Sequence, residues 1–102
     1  MKIKTGMRLK SAVCSTEAVV IKAPSAGENI LCGSEPMVQM TDAKPDVAQL
    51  LEPQAGHTLI GKRYVDEDSG LELLCSKQGF GALCFEGREL ILKQPKPLPS
   101  SD

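Results

Sequence analysis

The sequence predicts an all-β protein built from two small antiparallel meanders. Short runs of aliphatic and β-branched residues recur along the chain, and each is bounded by a turn that contains glycine or proline. Only one stretch has the spacing of an amphipathic helix, and it is short. The length of 102 residues suits one domain or two very small lobes with a modest core.

The first meander is predicted over residues 1–40. Apolar and polar residues alternate from residue 7 to residue 13, as expected for a strand with one buried face. Residues 17–21 are rich in β-branched side chains, which favours a second strand. A short third strand is expected at residues 29–32, and a fourth run follows at residues 37–40.

A connector, residues 41–58, separates the two meanders. It contains Pro45 and Pro53, which are typical of irregular chain. Residues 45–51 begin with proline, which is tolerated at the first position of a helix, and carry three apolar side chains at helical spacing. We therefore expect one short helical turn between the two β units.

The second meander is predicted over residues 59–94. Residues 66–70 are acidic and end in glycine, which indicates a solvated turn between two strands. Residues 78–81 suit a two-residue hairpin turn with glycine at its first central position. That turn would place Cys75 directly opposite Cys84.

A small meander is marginally stable alone, so the two units need each other or a second chain. We expect them to pack face to face, or the protein to form a homodimer that covers the aliphatic surfaces. The tail, residues 95–102, holds prolines and serines and is expected to be flexible. The sequence shows no evident internal repeat.

Composition excludes several classes of partner. The net charge is −1, and the longest basic run is Lys62-Arg63, so no patch could neutralise a series of phosphates. Aromatic residues that could stack on bases are also scarce. The N-terminus lacks an apolar run long enough for a signal peptide or a membrane helix, which predicts a cytoplasmic protein without nucleic-acid or membrane partners.

Two segments carry the spacing of a thiolate metal site. Ser11-Ala12-Val13-Cys14 has the form of a Cys-x-x-Cys knuckle with serine in the leading position. The strand Ala18-Val19-Val20-Ile21-Lys22 follows it, and Cys32-Gly33-Ser34-Glu35-Pro36-Met37-Val38 supplies a second cysteine at a glycine turn. Four thiolates on two such knuckles form a tetrahedral zinc or iron site.

These motifs make residues 6–40 resemble the desulforedoxin family. Those small rubredoxin-like iron proteins also form the N-terminal domain of desulfoferrodoxins, and they carry Cys-x-x-Cys, a valine-rich strand and Cys-Cys-Gly-x-x-Met. The resemblance implies a rubredoxin-like or zinc-ribbon-like fold for the first meander, with Cys14 and Cys32 at ligand positions. Ser11 and Gly33 stand where the family has its other two cysteines.

Three uses of these thiols stay open at this point. Cys14 and Cys32 could be packed thiols on a scaffold that has lost its metal, since buried cysteine behaves as a small apolar residue. They could hold zinc or iron in a site completed by a second chain, by His57, or by Cys75 and Cys84. They could form a disulfide, which a reducing cytosol disfavours. For Cys75 and Cys84 the alternatives are an apolar cross-strand contact and two ligands of a four-cysteine site.

No catalytic constellation is visible in the sequence. His57 is the only histidine, and no nucleophile or phosphate-binding glycine loop accompanies it. The sequence therefore predicts a small non-catalytic accessory protein that binds another protein or a second copy of itself, with no bound cofactor. The alternative is a metal-binding protein that holds structural zinc or redox iron through Cys14 and Cys32.

Overall fold

The protein is all-β, as predicted. The computed structural model describes residues 2–93, and within that range it contains ten strands in two antiparallel sheets and no helix. The predicted tail at 95–102 lies outside the described residues. The strands are β1 Arg8–Lys10, β2 Glu17–Lys22, β3 Ile30–Cys32, β4 Glu35–Pro36, β5 Val38–Gln39, β6 Arg63–Asp66, β7 Leu71–Lys77, β8 Leu83–Phe85, β9 Arg88–Glu89 and β10 Ile91–Leu92.

The predicted helical turn at residues 45–51 is wrong. This segment has no regular secondary structure, and two of its polar groups bond to the first meander. The backbone N–H of Leu50 donates to Val13 O at 2.8 Å, and the side-chain amide of Gln49 donates to Ala12 O at 2.8 Å. The connector therefore lies along the turn that carries Cys14.

The two meanders share both sheets. The larger sheet has the order β10-β6-β7-β2-β1-β5, and the smaller has the order β4-β3-β8-β9. The halves meet by hydrogen-bonded pairing of β2 with β7 and of β3 with β8. The expectation that the two units pack face to face is therefore wrong, because they join edge to edge within each sheet.

The strand orders reveal an internal repeat that the sequence did not show. Each half contributes three strands to the larger sheet and two to the smaller, in matching positions. Local hydrogen bonds repeat as well: Gly6 N donates to Val20 O at 2.7 Å, and Gly61 N donates to Cys75 O at 2.9 Å. Both glycines have a left-handed backbone, with φ of 88° and 79°. The chain is thus two copies of one five-stranded unit.

The core lies between the two sheets and is mostly aliphatic. Both halves contribute to one continuous cluster, and Phe85 is its largest fully buried side chain. The other large aliphatic side chains that are fully buried are Leu9, Val20, Ile30, Leu71, Leu73 and Leu83.

The predicted hairpin at residues 78–81 is also wrong. Cys75 pairs with Ala18 in β2, whereas Cys84 pairs with Leu31 in β3, so the two cysteines lie in different sheets. The chain between β7 and β8 crosses from the larger sheet to the smaller one. Its glycines, Gly79 and Gly81, allow the backbone to lie close to the first meander.

Candidate thiol and metal site

Ser11 and Cys14 form a tight turn between β1 and β2. The Ser11 side chain is fully buried, and its Oγ accepts hydrogen bonds from the backbone N–H of Val13 at 3.1 Å and of Cys14 at 3.2 Å. The backbone N–H of Ser11 donates to Thr16 O at 2.9 Å, which closes the turn. The serine therefore maintains a knuckle in which its own side chain points toward the cysteine.

Cys32 ends strand β3 and faces this turn. Its Sγ lies 3.8 Å from Cys14 Sγ, and Ser11 Oγ lies 3.2 Å from Cys14 Sγ. Cys32 is fully buried, whereas Cys14 retains 9% of its exposure. The structure thus brings together the two cysteines and the serine that the sequence placed at ligand positions.

Gly33, the residue after Cys32, has no room for a side chain that could serve as a fourth ligand. A Cβ added at Gly33 would lie 2.6 Å from Val13 Cγ2 and 2.9 Å from Leu50 Cδ1. Apolar side chains therefore occupy the space that a second cysteine after Cys32 would need.

The second meander covers the thiol pair with the backbone of residues 79–81. A Cβ added at Gly79 would lie 3.0 Å from Cys14 Sγ, and one added at Gly81 would lie 2.7 Å from Cys32 Sγ. Glycine is therefore required at both positions for space. The pair is enclosed between the two halves of the chain.

Two buried threonines complete the surroundings of the sulfurs. Thr16 Oγ1 lies 3.2 Å from Cys14 Sγ and forms a hydrogen bond with Thr58 Oγ1. The Thr58 hydroxyl also lies within hydrogen-bond distance of the carbonyl oxygens of Gly79 and Gly81. The sequence gave no signal for Thr16 or Thr58, which are conspicuous only because they are fully buried polar residues.

The environment separates the acidities of the two thiols. Burial raises the pKa of Cys14, but hydrogen bonds from the side chains of Ser11 and Thr16 and from the backbone amides of Thr16 and Gly81 outweigh it, so the pKa falls to about 7. Burial and the neighbouring Cys14 charge raise the pKa of Cys32 to about 12. Cys14 therefore ionises at a lower pH than Cys32 does.

Cys75 and Cys84 do not join this pair. Cys75 is buried in β7, where its thiol donates to Lys77 O at 3.1 Å and burial raises its pKa. Cys84 is half-buried in the smaller sheet, and its pKa is raised by burial and then by the charge of Glu89. The backbone of His57 forms an isolated antiparallel β-bridge with that of Ala82. Across residues 2–93, no three His, Cys, Asp or Glu side chains gather as a metal site.

The second half carries a counterpart of the knuckle, which the sequence reading missed. Asp66 is the last residue of β6, and Ser11 holds the corresponding place directly after β1. Asp66 Oδ2 accepts hydrogen bonds from the backbone N–H of Ser69 at 3.3 Å and from the Ser69 hydroxyl at 2.6 Å. The bonds from Cys14 to Ser11 follow the same pattern. The available signal was a short polar turn after a strand in both halves.

At this second knuckle an ion pair replaces the thiols. Arg88 donates to both carboxylate oxygens of Asp66, at 3.0 and 2.7 Å, and forms an ion pair with Asp68, whose Oδ2 lies 3.3 Å from Arg88 Nε. The hydrogen bond from Arg88 is the main cause that holds the pKa of Asp66 well below its usual range. Asp66 is only 5% exposed, so the prediction of a fully solvated turn is wrong for this residue. Phe85 occupies the position that corresponds to Cys32.

A pocket of about 330 Å³ opens beside the thiol pair. Cys14 is among its lining residues, whereas Cys32 is not. Lys44 donates to Cys14 O at 3.0 Å and also lines the pocket. The remaining walls include Val13, Gln49, Leu50 and Phe80.

Comparison with protein-family models finds no match, and comparisons with curated proteins and with solved structures find none either. In the described part of the chain, no helix is long and apolar enough to cross a membrane.

Proposed function

We propose that this chain is a small, non-catalytic accessory protein that binds one divalent metal ion, zinc, through Cys14 and Cys32. The observation that carries the proposal is the separation of 3.8 Å between their sulfurs. In a tetrahedral zinc site with bonds of about 2.3 Å, two sulfurs stand about 3.8 Å apart. The pair therefore has the spacing of two zinc ligands.

The donor set favours zinc over ferric iron. Two thiolates neutralise a divalent ion, and a site without net charge suits the enclosure of Cys32, which is fully buried. Ser11 Oγ already accepts two backbone N–H bonds, so the remaining ligands would be other neutral oxygens. A four-thiolate iron site of the desulforedoxin kind does not fit, because Ser11 and Gly33 provide no sulfur and apolar side chains fill the space at Gly33. Bound zinc would tie the knuckle to β3 without supplying redox chemistry.

The burial of the pair also bears on how the site is completed. A site shared between two chains needs both sulfurs at the surface, whereas Cys32 is fully buried and the backbone of Gly81 lies against its sulfur. We therefore propose that the metal is held within one chain, with its remaining ligands from hydroxyl groups or water.

The accessory role and its partners belong to the same proposal. Leu51 and Ile60 are 88% and 59% exposed, and contact with another protein or a second copy of this chain would cover these large apolar side chains. All four cysteines are free thiols, which supports a reducing compartment, the cytoplasm.

Anaerobic competition for zinc against a chromophoric chelator tests the metal site. The reduced wild-type chain should take up one zinc ion. Loss of a residue that only supports a metal ligand typically weakens metal affinity about 10–100-fold. Cys14→Ser and Cys32→Ser each remove a ligand itself, so each should weaken zinc affinity by more than that. Cys84→Ser is the matched control. Cys84 pairs with Leu31 on the half-buried face of the smaller sheet, whereas Cys32 is on the buried face, so this change should leave affinity unchanged. A wild-type chain that takes up no zinc, or a Cys84→Ser variant that binds as poorly as Cys14→Ser, would contradict the proposal.

A further inference from the structure

The two thiols of the pair differ in access. Cys14 borders the pocket of about 330 Å³, whereas Cys32 is fully buried behind it and lies outside the pocket lining. Only Cys14 can therefore meet a molecule that enters from solvent. Cys32 can react only with Cys14, whose sulfur is 3.8 Å away.

Hydrogen-bond donors surround the accessible sulfur. The hydroxyls of Ser11 and Thr16 both lie 3.2 Å from Cys14 Sγ. Both can donate to a thiolate, and such donors stabilise negative charge on sulfur. The geometry therefore favours Cys14, which borders the pocket, as the attacking sulfur, with Cys32 behind it.

We propose that metal-free protein exchanges thiols with low-molecular-weight disulfides, with Cys14 as the attacking thiol and Cys32 as the resolving thiol. This activity goes beyond the proposed metal site and does not rest on it. It uses the same two sulfurs, so bound metal would block it.

The pocket indicates the chemical class of the disulfide. Its volume lies at the low end of the range for small-molecule sites, and Val13, Leu50 and Phe80 give it an apolar side. Lys44 and Gln49 supply a positive charge and an amide donor. These groups suit a disulfide of a small thiol that carries carboxylates.

The exchange proceeds in two balanced steps. Cys14 thiolate attacks one sulfur of the small disulfide, whose S–S bond breaks, and the first small thiolate leaves and takes a proton from solvent. Cys32 then gives up its proton and attacks Cys14 Sγ, which breaks the mixed disulfide and releases the second small thiol. The protein dithiol is oxidised, and one small disulfide is reduced to two thiols.

The geometry suits the second step. A disulfide needs its sulfurs about 2.05 Å apart, so Cys14 Sγ and Cys32 Sγ must approach by roughly 1.8 Å. Both residues stand next to turns, at the knuckle and at Gly33, and rotation of their side chains can supply much of that movement.

Intact-mass spectrometry with oxidised glutathione as the probe, on metal-free protein in excess chelator, tests the proposal. The wild-type chain should lose two hydrogens without keeping an adduct, and peptide mapping should find a Cys14–Cys32 linkage. Cys32→Ser should instead accumulate one glutathionyl group on Cys14. Cys84→Ser should behave as the wild type does.

Two further variants sharpen the test. Cys14→Ser should form neither a disulfide nor a glutathionyl adduct at Cys32. In Cys32→Ser, the adduct on Cys14 should form at least about tenfold faster than any adduct on Cys84. Lys44→Ala should slow the reaction with oxidised glutathione more than the reaction with an uncharged disulfide. A wild-type adduct confined to Cys84, or a wild-type chain that keeps the glutathionyl group on Cys14, would overturn the proposal. Because chelator is present throughout, these outcomes do not depend on whether zinc binds.

Discussion

Gly81→Ala should destabilise the protein by forcing the second meander away from the thiol pair. The backbone of Gly81 is outside the left-handed region, so alanine meets no conformational barrier there. Its Cβ would lie 2.7 Å from Cys32 Sγ and 2.8 Å from Gly33 N. Non-bonded atoms prefer separations of about 3.5–4.0 Å, so both neighbours must shift by roughly 1 Å.

The magnitude follows from this overlap. Overpacking a tight core typically costs about 1–3 kcal/mol, and the upper part of that range applies because one of the two contacts is backbone. For a chain of this size, each kcal/mol lowers the melting temperature by about 4–8 °C. Urea denaturation and thermal melting of the reduced protein measure both quantities.

A double-mutant cycle identifies the clash as the cause. In a Cys32→Ala background the sulfur is absent, so Gly81→Ala should cost at least about 1 kcal/mol less than in the wild type. Gly87→Ala is the control: its φ is 79° and no atom lies within 4 Å of the added Cβ, so its cost should be the same in both backgrounds. A Gly81→Ala cost below about 0.5 kcal/mol, or an equal cost in both backgrounds, would refute the reasoning.

Three other predictions follow from the same structure. Asp66→Asn should lower the free energy of unfolding at pH 7. Because the pKa of Asp66 is depressed in the folded state, the difference from wild type should shrink as the pH falls below about 4. Urea titrations at pH 7 and pH 3 measure this difference, with exposed Asp46→Asn as the control, and a difference that stays constant would contradict the buried ion pair. Gly6→Ala and Gly61→Ala should each lower the free energy of unfolding by about 1–2 kcal/mol, because both backbones are left-handed and space around the added Cβ is open. Denaturation experiments measure both values, and markedly unequal values would argue against the internal repeat. Zinc at about 100 times its dissociation constant should stabilise the wild-type chain by about 2.7 kcal/mol but leave Cys14→Ser unchanged, and equal stabilisation of both would place the metal elsewhere.

The sequence was most informative where one physical pattern dominated. The β-branched run at residues 17–21 became β2, and Cys32 ended β3 close to its predicted position. The meeting of Ser11, Cys14 and Cys32 was also accessible, because spacing around two turns fixes which side chains converge.

The errors arose where one residue type serves two purposes. Gly79 and Gly81 indicated a tight hairpin turn, yet they are glycines because the backbone lies against two sulfurs. Residues 45–51 had helical spacing, but tertiary hydrogen bonds to the first meander compete with helical ones. Neither cause can be read from local pattern.

The internal repeat escaped detection for a related reason. The two halves share backbone geometry but fill equivalent positions with different chemistry, such as Cys14 and Ser69, or Cys32 and Phe85. Hydrogen-bond pattern, glycine conformation and strand order preserve the relationship when side chains do not.

X-ray absorption spectroscopy at the zinc edge of the zinc-loaded, reduced protein tests the central claim most directly. The proposed site should show two sulfur neighbours at about 2.3 Å, accompanied by oxygen neighbours at about 2.0–2.2 Å, and Cys32→Ser should lose one of the sulfurs. Four sulfur neighbours would contradict it, since they would require cysteines that the structure keeps apart. A shell without sulfur would contradict it equally, because Cys14 and Cys32 would then take no part in binding.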